Sequence, residues 1–396
     1  MNKFEDVDKS EVLANHSGSL EVVSRAELMQ LDHWSHAFAD VRKDRRYYEI
    51  VEDTLRQGFE YRYFLIRDET GAVRAIQPFF LHDQDLLAGM SPRIAALTAA
   101  IRRWWPRFML LRTLMVGCAA GEGHLDASDD ASKRRLAQSL AARIVQHALE
   151  MGAPLIVLKE FPATYRGQLA CFLGRGFTRL PSLPMARLSL EYKSFDDYMT
   201  KALSAYTRKD LRRKFRKATH CNDIEMSVMT DVTSIVDEVY PLYLNVYERA
   251  QLRFEKLTKE YLCELGRRMP DKTRYFIWRR NHRIVAVNLC LIHGETICAE
   301  YLGLDYEVAF DLSLYFLVVR DVVAWAIANG FKSYESTCGG YDPKRHLRFL
   351  LEPLDLYVRH TGGVLNLVLS LILPFIGPTR YEPLLELFPE FQKLFG

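Results

Sequence analysis

The chain has 396 residues, 49% of them hydrophobic and 26% charged, with a net charge of only +3. That suits a globular protein of two or three domains and argues against a general nucleic-acid binder, which would be basic throughout. Seven scattered cysteines, Cys118, Cys171, Cys221, Cys263, Cys290, Cys298 and Cys338, form no CxxC pair and have no histidine at ligand spacing, so no metal site is expected and a reducing cytoplasm fits them.

Residues 1–19 are polar and mixed in charge, as expected of a flexible tail and not of a secretion signal. In the first half, the pattern predicts strands at 61–67 and 73–81 around a DETG turn, a helix at 133–151 closed by Gly152, and a strand at 155–160. The loop 116–124, VGCAAGEGH, has three glycines that permit close backbone approach to a ligand, as a phosphate nest or as a plain turn. It has neither the Gly-Lys-Ser/Thr ending of a Walker loop nor GxGxxG spacing.

A strand at 187–192 leads into the basic segment 198–218, where eight residues are Lys or Arg and only Asp210 is acidic. Wound as a helix, it carries Arg208, Lys209, Arg212, Arg213, Arg216 and Lys217 on one half and Leu203, Leu211, Phe215 and Ala218 on the other, interrupted by Lys214. Such a helix packs on its own protein and offers a positive face to an anion, or is simply a solvated face. The second half repeats the order of the first: strands at 274–279, 284–293 and 296–304, a helix at 312–329 closed by Gly330, and a strand at 333–336. Both halves read as mixed α/β sheets. The apolar run 364–376 is too short to span a bilayer; a buried helix is expected there, with an interfacial anchor as the other reading.

Chemistry is expected at the end of the second sheet. Asp311 and Ser313 are candidate caps of the helix at 312–329, whose free N–H groups would face an anion beyond strand 296–304, though an ordinary capped helix gives the same pattern. Glu300, Tyr301, Tyr315, Glu335, Tyr341, Lys344 and His346 are the polar groups placed to converge there. A carboxylate or histidine could take a proton from an attacking amine and a tyrosine could protonate a leaving group; alternatively, the carboxylates lie on solvated strand edges and the tyrosines in the core. No Gly-x-Ser-x-Gly elbow and no HExxH helix occurs.

Three stretches, GFTRLPSLPMARLSL at 176–190, SFDDYMTKALSAYTRKDLRRKFRKA at 194–218 and GGYDPKRHLRFLLEPLDLYVRH at 339–360, together with this order of elements, resemble the GNAT acyl-CoA N-acyltransferase superfamily and, within it, FemAB-like N-acyltransferases. The resemblance implies an α/β (α+β) fold of two tandem GNAT-like domains, each a twisted, mixed, mostly antiparallel sheet flanked by helices. They are expected at 20–192 and 193–363, with a helical segment at 364–396 packed on the core. It also implies acyl transfer to an amine, with no permanently bound cofactor and acyl-CoA as co-substrate.

The donor would lie along Leu304, Asp311, Leu312 and Ser313, with Lys344 after the Tyr-x-Pro of YDPKRH; Arg348 stands where a small residue is usual. Glu300, Tyr315, Glu335 and His346 are the catalytic candidates, and Arg208, Arg212, Arg213, Arg216, Tyr301 and Tyr341 the anion or substrate binders. An acidic acyl carrier protein would suit the basic helix equally. The alternatives are a FemABX-like aminoacyltransferase using aminoacyl-tRNA in cell-wall peptide synthesis, and a non-catalytic protein binding a lipid or cell-wall fragment. No specific DNA partner is expected, and the location is read as bacterial cytoplasm with peripheral contact to the inner membrane through 364–376.

Overall fold

A computed structural model of the chain describes residues 19–87, 92–220, 224–250, 253–375 and 377–395. Residues 1–18, Cys221 and Ile376 lie outside the described residues, as do the side chains of Lys217 and Ala218.

The strands are β1 (Leu20–Val23), β2 (Glu60–Arg67), β3 (Val73–Asp85), β4 (Leu110–Val116), β5 (Leu155–Pro162), β6 (Thr178–Pro181), β7 (Met185–Ser189), β8 (Ile224–Met229), β9 (Thr273–Arg280), β10 (Arg283–His293), β11 (Thr296–Leu304), β12 (Ser333–Ser336), β13 (Leu350–Glu352) and β14 (Leu354–His360). They form two seven-stranded sheets, ordered β1-β2-β3-β4-β5-β14-β6 and β13-β7-β12-β11-β10-β9-β8. Each is antiparallel except at one central pair, β4 with β5 and β11 with β12.

The expected hairpins are present. Asn281 and His282 both have positive φ (48° and 66°), the conformation that a two-residue hairpin loop requires to match strand twist. Gly152 and Gly330 have φ of 66° and 82°, closing the helices Asp130–Glu150 and Leu314–Ala328. The first of these starts earlier than expected because Asp129 caps it, accepting from Ser132 N at 2.9 Å.

Three expectations need correction. The two sheets do not divide the chain at 192/193, because they trade strands: β7 pairs with β12 and β13 in the second sheet, and β14 lies between β5 and β6 in the first. The basic segment is two helices, Phe195–Ala202 and Ala205–His220. It breaks where Ser204 Oγ accepts from Thr207 N at 3.1 Å and starts the second helix. Finally, the helix Gly363–Ile372 buries none of its side chains; it docks through partly buried Leu369 and through Leu373 just beyond it, and the rest of its apolar surface faces outward. No described helix is long and apolar enough to cross a membrane.

One core cluster includes residues of both sheets: Ile76, Phe80, Met115 and Val157 of the first, and Tyr275, Ile277, Val287 and Leu289 of the second, with helices between them. At its centre, Tyr47 of helix Arg45–Thr54 hydrogen-bonds Tyr261 of helix Lys259–Arg268 at 2.7 Å. The two halves are thereby packed together through one core.

Candidate active site

Among the described residues, the parallel pairs create two places where neighbouring central strands run in the same direction and then part. β4 and β5 pair from Thr113–Val116 to Leu155–Leu158, and β11 and β12 from Thr296–Ala299 to Ser333–Ser336. Past these points the backbone groups of a parallel pair lose their partners and must find others.

In the first half the chain supplies those partners itself. Gly123 N donates to Glu160 O at 3.1 Å and Lys159 Nζ to Gly121 O at 3.0 Å. A Cβ on Gly123 would stand 2.7 Å from Lys159 O and from the Phe161 ring, and one on Gly121 1.9 Å from Lys43 Nζ. The close approach that the glycines of 116–124 allow is therefore to the protein's own strand. Replacing Gly123 with Ala is expected to cost about 1–3 kcal/mol by overpacking, read as a lower urea midpoint.

In the second half a threonine and a lysine, and not a glycine loop, bridge the opening. Thr337 N donates to Ala299 O at 3.2 Å and Thr337 Oγ1 to Glu300 O at 2.9 Å. Lys344, on the short helix Tyr341–His346, donates from Nζ to Thr337 O at 2.5 Å. It is 2% exposed, and burial pulls its ammonium down to about 8, against the opposing pull of the Cys338 and Cys298 thiols. Tyr315 lies against the residue before this helix, its hydroxyl 3.4 Å from where a Cβ on Gly340 would stand.

Groups from elsewhere face this opening. Cys338 is exposed to solvent, yet enough protein surrounds its thiol to push it up to about 11, with Glu160, Lys344, Glu255 and Lys159 all acting on it electrostatically. Its thiol is thus within electrostatic reach of Lys344 from the second half and of Glu160 and Lys159 from the first. Lys159 Nζ pairs with Glu160 at 2.6 Å, Ser182 Oγ reaches Glu160 at 3.2 Å, and Glu160 itself holds a φ of 55°, a conformation kept at a cost of about 1–3 kcal/mol. Burial pushes the Glu255 carboxyl up, with Lys159 and the Tyr301 hydroxyl pulling the other way; Tyr301 donates to it at 2.7 Å.

A buried charge network joins the two halves. Arg42 donates to Glu122 at 2.5 Å, to Glu300 at 2.8 Å and to Glu335 at 3.0 Å, while Lys43 pairs with Glu122 at 2.5 Å and Glu300 at 3.1 Å. Burial alone would raise the Glu122 carboxyl, but Arg42 and Lys43 outweigh it and hold it well below the usual carboxylate range. The network links residues of the first half to β11 and β12 of the second.

The sequence-expected residues thus have mixed fates. Glu300, Tyr301, Tyr315, Glu335, Tyr341 and Lys344 do gather at the end of the second sheet. Glu300, however, has both oxygens held by Arg42 and Lys43 and is buried, while Glu335, part-exposed, is held through one oxygen by Arg42. The buried Tyr341 donates to Pro184 O at 2.7 Å, tying the helix to the chain before β7. His346 points outward, 3.4 Å from Asp342.

Along 304–315, Leu304 O accepts from Asn245, Leu312 is in the core, and Asp311 is exposed and caps nothing. Ser313 stands at the N-cap with φ 51° and makes no side-chain cap. The N–H groups of Val308, Ala309, Leu312, Ser313 and Leu314 are spent within the turn. Those of Phe310, Asp311 and Tyr315 have no backbone acceptor among the described residues.

The basic helix flanks this opening. Leu211 is buried, Lys214 Nζ sits 3.7 Å above the Phe316 ring in the first turn of helix Leu314–Ala328, and Arg320 stacks on Phe215 at 5.0 Å. Lys214 therefore belongs on the packed side it interrupts. Arg208 closes the helix break by donating to Leu203 O at 2.6 Å, and Arg213 pairs with Asp210 at 2.6 Å. Arg212 and Arg216 stay exposed and line a groove of about 780 Å³ with Ser194, Met199 and Arg320.

Arg42, Lys43, Glu122, Lys159 and Glu255 were not singled out from sequence. Lys159 and Glu160 end an expected strand and Glu122 lies in the glycine loop, which were usable signals; Arg42, Lys43 and Glu255 sit in loops with no periodicity to mark them.

Known proteins place this arrangement. A model of the acetyltransferase (GNAT) domain matches residues 205–345, from the start of the basic helix to just past Lys344. No curated protein matches the chain significantly. Among solved structures, the C-terminal domain of a protein described as a lysylphosphatidylglycerol synthetase from Agrobacterium fabrum superposes with a TM-score of 0.53 at 13% identity, covering 89% of this chain and 97% of that one. FemX superposes with a TM-score of 0.51 at 10% identity, covering 86% and 96%. The chain thus carries an acetyltransferase (GNAT) domain at residues 205–345. Its two seven-stranded sheets share the fold of FemX and of the Agrobacterium domain, and the matched domain contains the second opening and not the first.

Proposed function

We propose that the second half transfers an acyl group from a phosphate-bearing thioester, acyl-CoA or an acylated carrier protein, to an amine. The observation that carries this reading is the contrast between the two openings: the first is filled by its own glycine loop, whereas the second keeps a buried Lys344 at its mouth. In the proposed reaction the amine nitrogen attacks the thioester carbonyl, forming the C–N bond. The Lys344 ammonium hydrogen-bonds the oxyanion of the tetrahedral adduct, the C–S bond breaks, and the thiolate leaves to be protonated. Glu255, oriented by Tyr301, accepts the proton lost by the amine. Glu300, Glu335 and Arg42 hold the two halves in register behind the site.

The exposed Arg212 and Arg216, with Arg213, are the proposed grip on the donor's phosphates. Replacing all three with Ala is expected to raise the donor's KM about tenfold or more and to flatten its dependence on salt, with kcat little changed. An unchanged KM and salt slope would remove that role from the helix. The reaction itself is tested by thiol release and intact-mass detection of acylated product across a panel of acyl-CoAs and amines. The exposed guanidiniums also favour a second reading, an aminoacyl-tRNA donor; it requires transfer that RNase abolishes and no thiol release.

A further inference from the structure

The first sheet has a chemical end and an opposite end. Val116, Leu158 and Glu160 mark the former, where the glycine loop and the charge network lie. At the other end, Asp85, the last residue of β3, pairs with Leu110, the first of β4; Thr113 and His360 both pair with Leu155 at the start of β5. Two separate apolar elements leave the sheet from this end, about 20 Å of strand away from the chemistry. One is the insertion between β3 and β4, containing helix Pro92–Arg102 and the turn Trp104–Trp105. The other is helix Gly363–Ile372 with its continuation to Phe375.

Both expose their largest apolar side chains. Trp104 is 92% exposed and Trp105 62%; Val364 is 79%, Leu371 64% and Phe375 84%. The stretch 363–375 contains no charged residue at all. Around these elements Arg103 and Arg175 are exposed and enter no ion pair among the described residues, while the carboxylates of Glu60, Asp83 and Asp85 are each paired with an arginine and that of Glu150 with His147.

We propose that this end of the first sheet docks on the surface of an anionic lipid bilayer, with the Trp104–Trp105 turn and helix Gly363–Ile372 immersed side by side at the headgroup boundary. Both elements are convex and discontiguous, so a rigid partner would need two matched grooves, whereas a fluid interface accepts them as they are. Tryptophans with flanking arginines suit the headgroup zone, and an uncharged helix of ten residues, about 15 Å long, can lie in that zone but not cross it. The arginines provide the preference for anionic lipid, each contributing roughly a fivefold gain in affinity.

Co-sedimentation of the full chain with vesicles of phosphatidylcholine, alone or mixed with phosphatidylglycerol, tests this. The wild type is expected to bind mixed vesicles at least about tenfold more tightly than neutral ones, with a blue shift of tryptophan fluorescence, since Trp34 and Trp278 are already buried. The pairs Leu367→Asp with Leu371→Asp, and Trp104→Ala with Trp105→Ala, change exposed residues and should each weaken binding about tenfold while leaving turnover of a soluble amine intact. Failure of the wild type to sediment with either vesicle would overturn the proposal. So would unchanged binding in both variants, or a concentration-dependent dimer in sedimentation velocity that the same substitutions abolish.

Discussion

Replacing Lys344 with Met is expected to lower kcat by about 10²–10³-fold, the usual cost of removing one donor from a developing oxyanion, while making the protein more stable at pH 7. The two effects share one cause. The native ammonium is held near 8 by burial, below the ~10.4 of an unfolded lysine. Below pH 8 the fold must therefore keep a charge in a site that disfavours it. As pH rises from about 8 to about 10, the unfolded chain binds more protons than the native one, so this group's contribution to stability rises with pH. In Lys344→Met that rise should vanish, and the melting temperature at pH 7 should increase, by the equivalent of about 1–3 kcal/mol. The wild-type rate should fall as pH passes about 8 and the needed ammonium is lost. A variant that is slow but no more stable would mean that Lys344 is not buried as a cation. One that is more stable but equally fast would place the oxyanion elsewhere.

Arg42→Ala is expected to be among the most destabilising single changes in the molecule, about 3–5 kcal/mol, because Glu122 and Glu300 remain buried with Lys43 as their one shared cation and, for Glu122, His124 at 3.3 Å. Chemical denaturation should show this as a lower midpoint or as loss of soluble protein. Glu300→Gln should likewise lower stability while leaving kcat of the folded fraction within a few-fold. This separates the two possible roles of Glu300: a proton acceptor would show a large loss in kcat with little change in stability. Glu255→Gln is the contrasting variant, expected to lower kcat without unfolding the chain, since Glu255 takes its hydrogen bond from Tyr301 and lies outside the Arg42 network.

Local periodicity made the architecture legible, and long-range pairing limited what it could say about the site. Alternation in 284–293 and 296–304, the Asn-His hairpin and the glycines that close two helices are written within short windows. The exchange of β7 and β14 between sheets is not, because a strand's own pattern says which face is buried but not which sheet receives it. Glu300 and Glu335 were found as neighbours of the opening; their engagement could not be, since Arg42 is more than 250 residues away from both. The glycines of 116–124 were read as room for a ligand, and the same freedom turned out to serve the chain's own packing against Lys159 and Phe161. For helix Gly363–Ile372, hydrophobicity pointed to burial, while the structure leaves that surface facing out.

Hydrogen exchange of the full chain with and without acyl-CoA tests most directly whether the second half holds the donor. The account predicts new protection at 303–316, at 337–344 and along the basic helix, with 117–123 unchanged. Protection confined to 117–123, or none at any of these segments with a donor that the protein turns over, would contradict it.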